Sequence, residues 1–141
     1  MAALPHGTRL PHIVRRPSAI SGWGVYADQT IEEDTRIVEY KGELVSHAEG
    51  SRREERYLRR HRIWLFTVNN RWLRDAAFGG NVARYINHSC RPNCYTDVVG
   101  HTIWIIAARR IYKDEELTYD YNTDGVAKIR CLCRPGCRRI L

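Results

Sequence analysis

The chain has 141 residues, a size that suits one domain with a core of its own. Hydrophobic residues make up 43% and charged residues 28%, a globular composition that excludes a disordered or fibrous chain. The formal charge of +7 favours an acidic partner, nucleic acid or an acidic protein face, although a soluble protein can simply be basic. No stretch approaches the roughly 20 apolar residues needed to cross a bilayer. The segment Met1 to Leu10 holds Pro5 and polar residues where a signal peptide would have its apolar core. The expectation is an intracellular protein with no membrane contact.

In chain order, Ser21-Gly22-Trp23-Gly24-Val25-Tyr26 sets a Gly-x-Gly between extended pieces. Alone it predicts a turn, and without a third glycine and a following helix it is not a dinucleotide fingerprint. Ile37 to Tyr40 and Glu43 to Val45 flank Lys41-Gly42 as two short extended pieces. Ser46 with Glu49 resembles a capping box and opens a helix to about His61. Arg52, Arg53, Arg56, Arg59, Arg60 and Arg62 populate that segment beside a thin apolar face of Tyr57 and Leu58. A solvated basic helix is the plainer reading, and a phosphate or acidic-peptide contact the sharper one.

Trp64 to Val68, the turn Asn69-Asn70 and Arg71 to Arg74 predict a hairpin, and Gly79-Gly80 marks another turn. Tyr95 to Val99, Gly100-His101 and Thr102 to Ala108 predict a second hairpin, in which Ile103 to Ile106 is the most buried-looking run. Leu117 to Tyr121 reads as a last short strand before a polar turn and a cysteine tail. The fold class expected is mainly β, short sheets with one helix, and nothing marks a linker between two domains.

Three further segments concentrate chemistry. Ala83 to Cys94 contains Asn87-His88-Ser89-Cys90 closed by Pro92, a cluster of donors and acceptors that costs free energy if buried without partners. It fits either a hydrogen-bonded turn or a ligand site. Tyr119 and Tyr121 stand at i and i+2 on one side of a strand. Three of the five cysteines, Cys131, Cys133 and Cys137, fall in the last eleven residues. In a chain without a secretory signal they read as zinc ligands that need a fourth ligand from elsewhere.

Taken together, the order of these motifs is far more specific than any one of them. Gly-x-Gly at Gly22, Tyr-x-Gly at Tyr40, Arg-Tyr-Ile-Asn-His-Ser-Cys from Arg84, Glu-Leu-Thr-Tyr-Asp-Tyr from Glu116 and a Cys-x-Cys tail resemble the SET-domain protein-lysine methyltransferases with their post-SET zinc tail. The resemblance spans Ile13 to Leu141. It implies the SET-domain (β-clip) fold with a knot-like C-terminal crossing at Asn87 to Cys90, an exception to unknotted topology. It also implies an N-terminal extension at 1–12, a SET domain at 13–124 and a post-SET cysteine tail at 125–141.

The resemblance further implies S-adenosylmethionine and zinc as cofactors. Gly22, Trp23, Gly24, Trp64, Arg84, Asn87, His88 and Leu132 would contact the first, with Asn87 and His88 at its adenine and amino-acid ends. Cys90 would join Cys131, Cys133 and Cys137 around the second. Tyr121 matches the family's catalytic tyrosine, Tyr40 would line a lysine channel, and Tyr119 would limit the product to mono- or dimethyl-lysine. Cys94 is left over as a small buried side chain.

This chain departs from the family pattern in three places. The tail spacing Cys-x-Cys-x3-Cys is one residue shorter than usual, Trp64 stands where many members carry a tyrosine, and no cysteine precedes Cys90. The substrate expected is a lysine-bearing protein, histone-like, with nucleic-acid contact along the Arg52 to Arg62 helix. The place expected is nuclear or chromatin-associated in a eukaryote and cytoplasmic in a prokaryote. The alternative is a catalytically silent, zinc-stapled module that binds chromatin or nucleic acid.

Overall fold

A computed structural model describes residues 9–123 and 128–141. The expected N-terminal extension at 1–12 lies outside the described residues over positions 1–8, and so does the expected boundary between 124 and 125. In chain order the elements are β1 (Ile13–Pro17), β2 (Trp23–Ala27), β3 (Arg36–Glu39), β4 (Glu43–Ser46), α1 (His47–Arg59), β5 (Leu65–Thr67) and β6 (Trp72–Asp75). A 3-10 turn (Val82–Tyr85), β7 (Asn87–His88), β8 (Cys94–Val99), β9 (Thr102–Ala107) and β10 (Thr118–Tyr119) follow. Among the described residues the result is mainly β with a single α-helix, as the patterning predicts.

The core forms where the chain is most apolar. β9 lies between β3 and β8, antiparallel to both, and Ile103, Ile105 and Ile106 are fully buried. Ile37 from β3 and Ile31, Ile111 and Leu117 from the flanking turns close around them. Apolar burial of this kind is the main favourable term in folding.

A second antiparallel sheet runs in the order β4-β6-β5 and carries α1. The two extended pieces around Lys41-Gly42 therefore belong to different sheets, and that turn is a corner instead of a hairpin. Ser46 ends β4 and accepts the Glu49 amide at 3.2 Å, the expected cap. The Glu49 carboxylate turns to Arg52 and Arg53, so the box has one half only. α1 stops at Arg59, where the Arg60 and His61 amides close onto the Tyr57 and Leu58 carbonyls.

Both predicted hairpins form, β5-β6 and β8-β9, within a residue of the expected bounds. β1, which the sequence reading leaves unassigned, pairs antiparallel with β2. The last strand contracts from Leu117–Tyr121 to Thr118–Tyr119, because its parallel partner β7 has only two residues before the chain turns toward Pro92. This parallel contact between segments thirty-one residues apart, Thr118 on Asn87 and Tyr119 on His88, occupies the place of the expected crossing. Among the described residues no helix is long and apolar enough to cross a membrane.

Candidate active site

The contact between β7 and β10 is stitched by side chains as well as backbone. Asn93 is buried, accepts the Thr118 amide at 2.9 Å and donates to the Glu116 carbonyl at 2.8 Å. The His88 ring is buried and its Nδ1 accepts the Tyr121 amide at 3.0 Å. The proton of the neutral ring therefore sits on Nε2, which faces the Cys90 sulfur at 3.4 Å. Burial holds His88 below its ordinary pKa, outweighing the charge of Asp120. Both ring nitrogens are thus committed inside the protein, which aligns Tyr121 and Cys90 on opposite sides of one imidazole.

Beyond β10 the aromatic residues converge. The Tyr119 and Tyr121 rings lie 4.9 Å apart, Tyr119 lies 6.0 Å from Phe66, and Phe66 lies 5.3 Å from Tyr40. With Trp64 and Tyr57 they line a cavity of about 510 Å³. The Tyr40 hydroxyl donates to the Trp64 carbonyl at 2.8 Å, and the Tyr121 hydroxyl donates to the Ile86 carbonyl. Burial raises all three phenols above their ordinary value, and the Glu116 charge adds to the rise at Tyr121. They stay protonated and neutral at ordinary pH.

The Gly-x-Gly turn is pinned to the same crossing. The Asn87 amide donates to the Ser21 carbonyl at 3.1 Å, the Trp23 carbonyl at 3.0 Å and the Glu116 carboxylate at 3.0 Å. Gly22 has φ +47°, which favours glycine. At Gly24 a Cβ would lie 2.3 Å from a Glu116 carboxylate oxygen. Glu116 also accepts the Ser18 hydroxyl at 2.8 Å, so one carboxylate ties the loop, β2 and the approach to β10 together.

A second cavity of about 420 Å³ opens beside this loop, lined by Arg15, Arg84, Tyr85 and the Gly79 to Val82 backbone. The Arg15 guanidinium stacks on Trp23 at 4.4 Å and on Tyr85 at 4.9 Å. Arg84 donates to the Tyr85 hydroxyl at 2.9 Å, lowering that phenol's pKa, and lies over the Trp64 ring at 5.6 Å. Arg84 therefore stands between the two cavities. Trp23 and Leu132 are 46% and 51% exposed, one tied to Asn87 through its carbonyl and the other carried by the tail beside Cys90. The guanidiniums fit a carboxylate and the exposed Trp23 and Leu132 side chains a flat ring, two features of S-adenosylmethionine.

The four expected thiols come together. Cys90, Cys131, Cys133 and Cys137 have sulfurs all within 4.8 Å of one another, with Cys90 at 3.8 Å from Cys131 and 3.9 Å from Cys137. Zinc–sulfur bonds of about 2.3 Å put the corners of a tetrahedron about 3.8 Å apart, so the set fits zinc despite its shortened spacing. Burial pushes the Cys131 thiol up to about 12. Burial acts upward on Cys133 too, but the Cys90 amide and the neighbouring thiols outweigh it and bring Cys133 down to about 6. Cys94 stands apart, buried, as expected.

The structure thus brings Tyr40, Tyr119, Tyr121 and Trp64 to one cavity, Arg84 to its neighbour, and Gly22, Trp23, Gly24 and Asn87 to one loop contact. It does not bring the His88 side chain to either cavity. The basic helix is less uniform than its sequence, since Arg53 turns inward to Asp75, Glu43 and Glu49 while Arg52 and Arg59 pair with Glu49 and Glu55. Arg15, Phe66, Tyr57 and Glu116 are site residues that the motif reading passes over. Only Glu116 carried a signal, as the first residue of the Glu-Leu-Thr-Tyr-Asp-Tyr run.

Known proteins agree with this geometry. Residues 22–122 match the SET domain family. The chain is 43% identical over 131 residues to histone-lysine N-methyltransferase trr of Drosophila melanogaster, covering 86% of this chain and 5% of that protein. It is 44% identical over 131 residues to human histone-lysine N-methyltransferase 2D, covering 86% and 2%. An H3 lysine-4 specific histone-lysine N-methyltransferase of Emericella nidulans is 41% identical over 135 residues, covering 88% and 11%. The chain therefore spans a small fraction of these relatives' length. Among solved structures, Chaetomium thermophilum Polycomb Repressive Complex 2 in an autoinhibited conformation bound to S-adenosylmethionine superposes with TM-score 0.72 at 36% identity, over 81% of this chain and 15% of that one. By family match, identity and fold, the chain belongs to the SET-domain family.

Proposed function

We propose that this chain is an S-adenosylmethionine-dependent protein-lysine N-methyltransferase that acts on a histone or histone-like lysine. The observation that carries the reading is the slot between Tyr40, Phe66, Tyr119 and Tyr121, whose phenols are held neutral by burial. The relatives named as histone-lysine N-methyltransferases and the neighbour bound to S-adenosylmethionine support it. On this reading residues 13–124 are the catalytic SET domain and 125–141 the post-SET tail.

When bound, S-adenosylmethionine would supply an electrophilic sulfonium methyl group to a neutral lysine amine. Tyr121 is the catalytic tyrosine, its oxygen oriented by the bond to the Ile86 carbonyl. Fixed oxygens around a polarised methyl hold it through weak C–H···O contacts, and the gain in rate is chiefly positioning. Tyr40 and Tyr119 wall the slot, and its dryness favours the neutral amine over the ammonium. Arg84, Trp23, Trp64 and Leu132 hold the cofactor by side chain, and Gly22, Gly24, Asn87 and His88 by backbone.

Zinc on Cys90, Cys131, Cys133 and Cys137 fixes the tail that carries Leu132. A set of four thiolates leaves no open position for water, so its role is structural. The Tyr119 hydroxyl occupies room that further methyl groups need, so the product is mono- or dimethyl-lysine. Tyr119→Phe is expected to carry the product toward trimethyl-lysine, read by mass spectrometry of a substrate peptide at long reaction times. Contact with nucleic acid, on this reading, runs through the exposed Arg56 of α1 and Arg60 just past its end instead of the whole helix, and chromatin is the place of action. The test is transfer of labelled methyl from S-adenosylmethionine to a histone mixture, with the label traced to lysine after hydrolysis. A folded, cofactor-binding protein that leaves histone lysines unlabelled would refute the substrate assignment.

A further inference from the structure

Asp75 is a fully buried carboxylate at the end of β6, 0% exposed. It accepts the Arg53 guanidinium at 2.9 Å, the Tyr57 hydroxyl at 2.7 Å and the Ala77 amide at 2.9 Å. A buried charge needs such a full set, because a buried charge left without its partner is strongly destabilising. Arg53 in turn reaches Glu43 at 2.8 Å and Glu49 at 3.0 Å, and its guanidinium lies over Phe78 at 5.1 Å. The two side-chain donors to Asp75 come from α1, one turn apart, so this carboxylate clamps the helix to the β4-β6-β5 sheet.

The clamp leads into the aromatic slot. Tyr57 meets the Trp64 ring edge-on at 5.5 Å. The Trp64 carbonyl is fixed from both sides, accepting the Tyr40 hydroxyl at 2.8 Å and the Ala76 amide, next in sequence to Asp75, at 3.1 Å. Tyr57, Trp64 and Tyr40 all line the slot, whereas Asp75 and Arg53 do not. The hydroxyl of Tyr57 therefore serves Asp75, while its ring serves the cavity.

We infer that Asp75 is a positioning residue for the substrate-side wall of the slot: through the Tyr57 hydroxyl it sets where the Tyr57 ring and the Trp64 ring packed on it stand, and so how a lysine side chain is gripped. The inference rests on the proposed lysine methylation. It assigns to α1 a share in substrate grip that does not involve its outer arginines. The clamp touches the cofactor cavity only at its edge, through Ala77 and through Arg84 over the Trp64 ring.

Tyr57→Phe keeps the ring and removes the hydrogen bond. Removal of this hydrogen bond to a charged group is expected to raise KM for a histone peptide by about tenfold, with kcat changed less and affinity for S-adenosylmethionine lowered by a smaller factor. The Trp64 indole N–H resonance, identified by its loss in Trp64→Phe, is expected to move. In an Asp75→Asn background the Tyr57→Phe change should add nothing further to KM, since coupled residues are not additive. A lowered melting temperature with unmoved KM and Trp64 signal would overturn the inference, as would equal weakening of substrate and cofactor. The Trp64 signal can be read whether or not methyl is transferred. If the wild type proves inactive and the signal moves, the enzymatic reading fails while the positioning stands; if the signal is still, the positioning fails.

Discussion

The Tyr121 hydroxyl is bound to the Ile86 carbonyl, and the Tyr121 amide to His88, so both ends of the residue are fixed before any ligand arrives. Tyr121→Phe leaves the amide bond and the ring packing in place. It is expected to lower kcat by about 100-fold, the scale seen when one fixed polar group of an active site is removed, with the circular dichroism spectrum and zinc content unchanged. A collapse of folding in this variant would mean that the hydroxyl is structural. Gly24→Ala tests the loop. Its Cβ would lie 2.3 Å from Glu116, forcing the carboxylate away from Ser18 and Asn87. The expected cost is about 1–3 kcal/mol of stability by chemical denaturation, with weaker cofactor binding by calorimetry.

Those two residues also mark what could be read from the chain in advance. Tyr40, Tyr119 and Tyr121 were legible because their motifs are local and their order along the chain is specific. The need for glycine at position 24 was legible too, but its cause was not. The side chain that excludes a Cβ there is Glu116, far along the sequence, and its other partner Ser18 stands 98 positions away. Tyr57 read as apolar filler on a solvated helix, since nothing local tells that its hydroxyl reaches a buried carboxylate 18 positions on. Interactions of this separation exist only once the sheets have formed.

At the scale of elements, the tail and the helix behave differently from their compositions. The cysteine tail is held by Cys90 next to β7, by a small cluster around Leu141, and by a bridge between Arg130 and Ile140. Its apolar cluster is separate from the main core. Chelation of zinc, or Cys133→Ser, is therefore expected to leave the β-sheet signal in circular dichroism intact while cofactor affinity falls by at least tenfold; metal content is counted on the same preparation. Loss of the whole fold on chelation would contradict a separate tail. The clustering of the four cysteines was legible from spacing and resemblance together, whereas the sheet pairing was not. β3 and β4 neighbour each other in sequence yet lie in different sheets, because β9 supplies a more apolar partner for β3 than β4 could. For α1, the row of arginines suggested a charged outer face, and the tertiary clamp on Arg53 turned one of them inward.

Across the whole molecule, the two cavities meet at Arg84 and Trp64, the first walled by Tyr40, Tyr119 and Tyr121 with Glu54, Arg62 and Asp120 also in its lining, the second by Arg15 and Arg84. This division gives a pH dependence. The amine of a free lysine has a pKa of about 10.4 and must be neutral to react, so the rate is expected to climb as pH rises and the protonated fraction falls. Burial raises Tyr40, Tyr119 and Tyr121 above an ordinary phenol, near 10. Their ionisation should therefore produce no falling limb below about pH 10. A profile of kcat/KM that falls between neutral pH and that point would show that some other group must stay protonated.

The most direct measurement is single-turnover methyl transfer from S-adenosylmethionine to lysine in histone substrate. Wild type and Tyr121→Phe should be compared at equal zinc content and saturating cofactor, with the modified residue located by mass spectrometry. The account predicts methyl on a lysine nitrogen with wild type and a rate about 100-fold lower with the variant. Cofactor binding by a folded, zinc-loaded wild type with no methyl on any lysine, or equal rates for the two proteins, would contradict it.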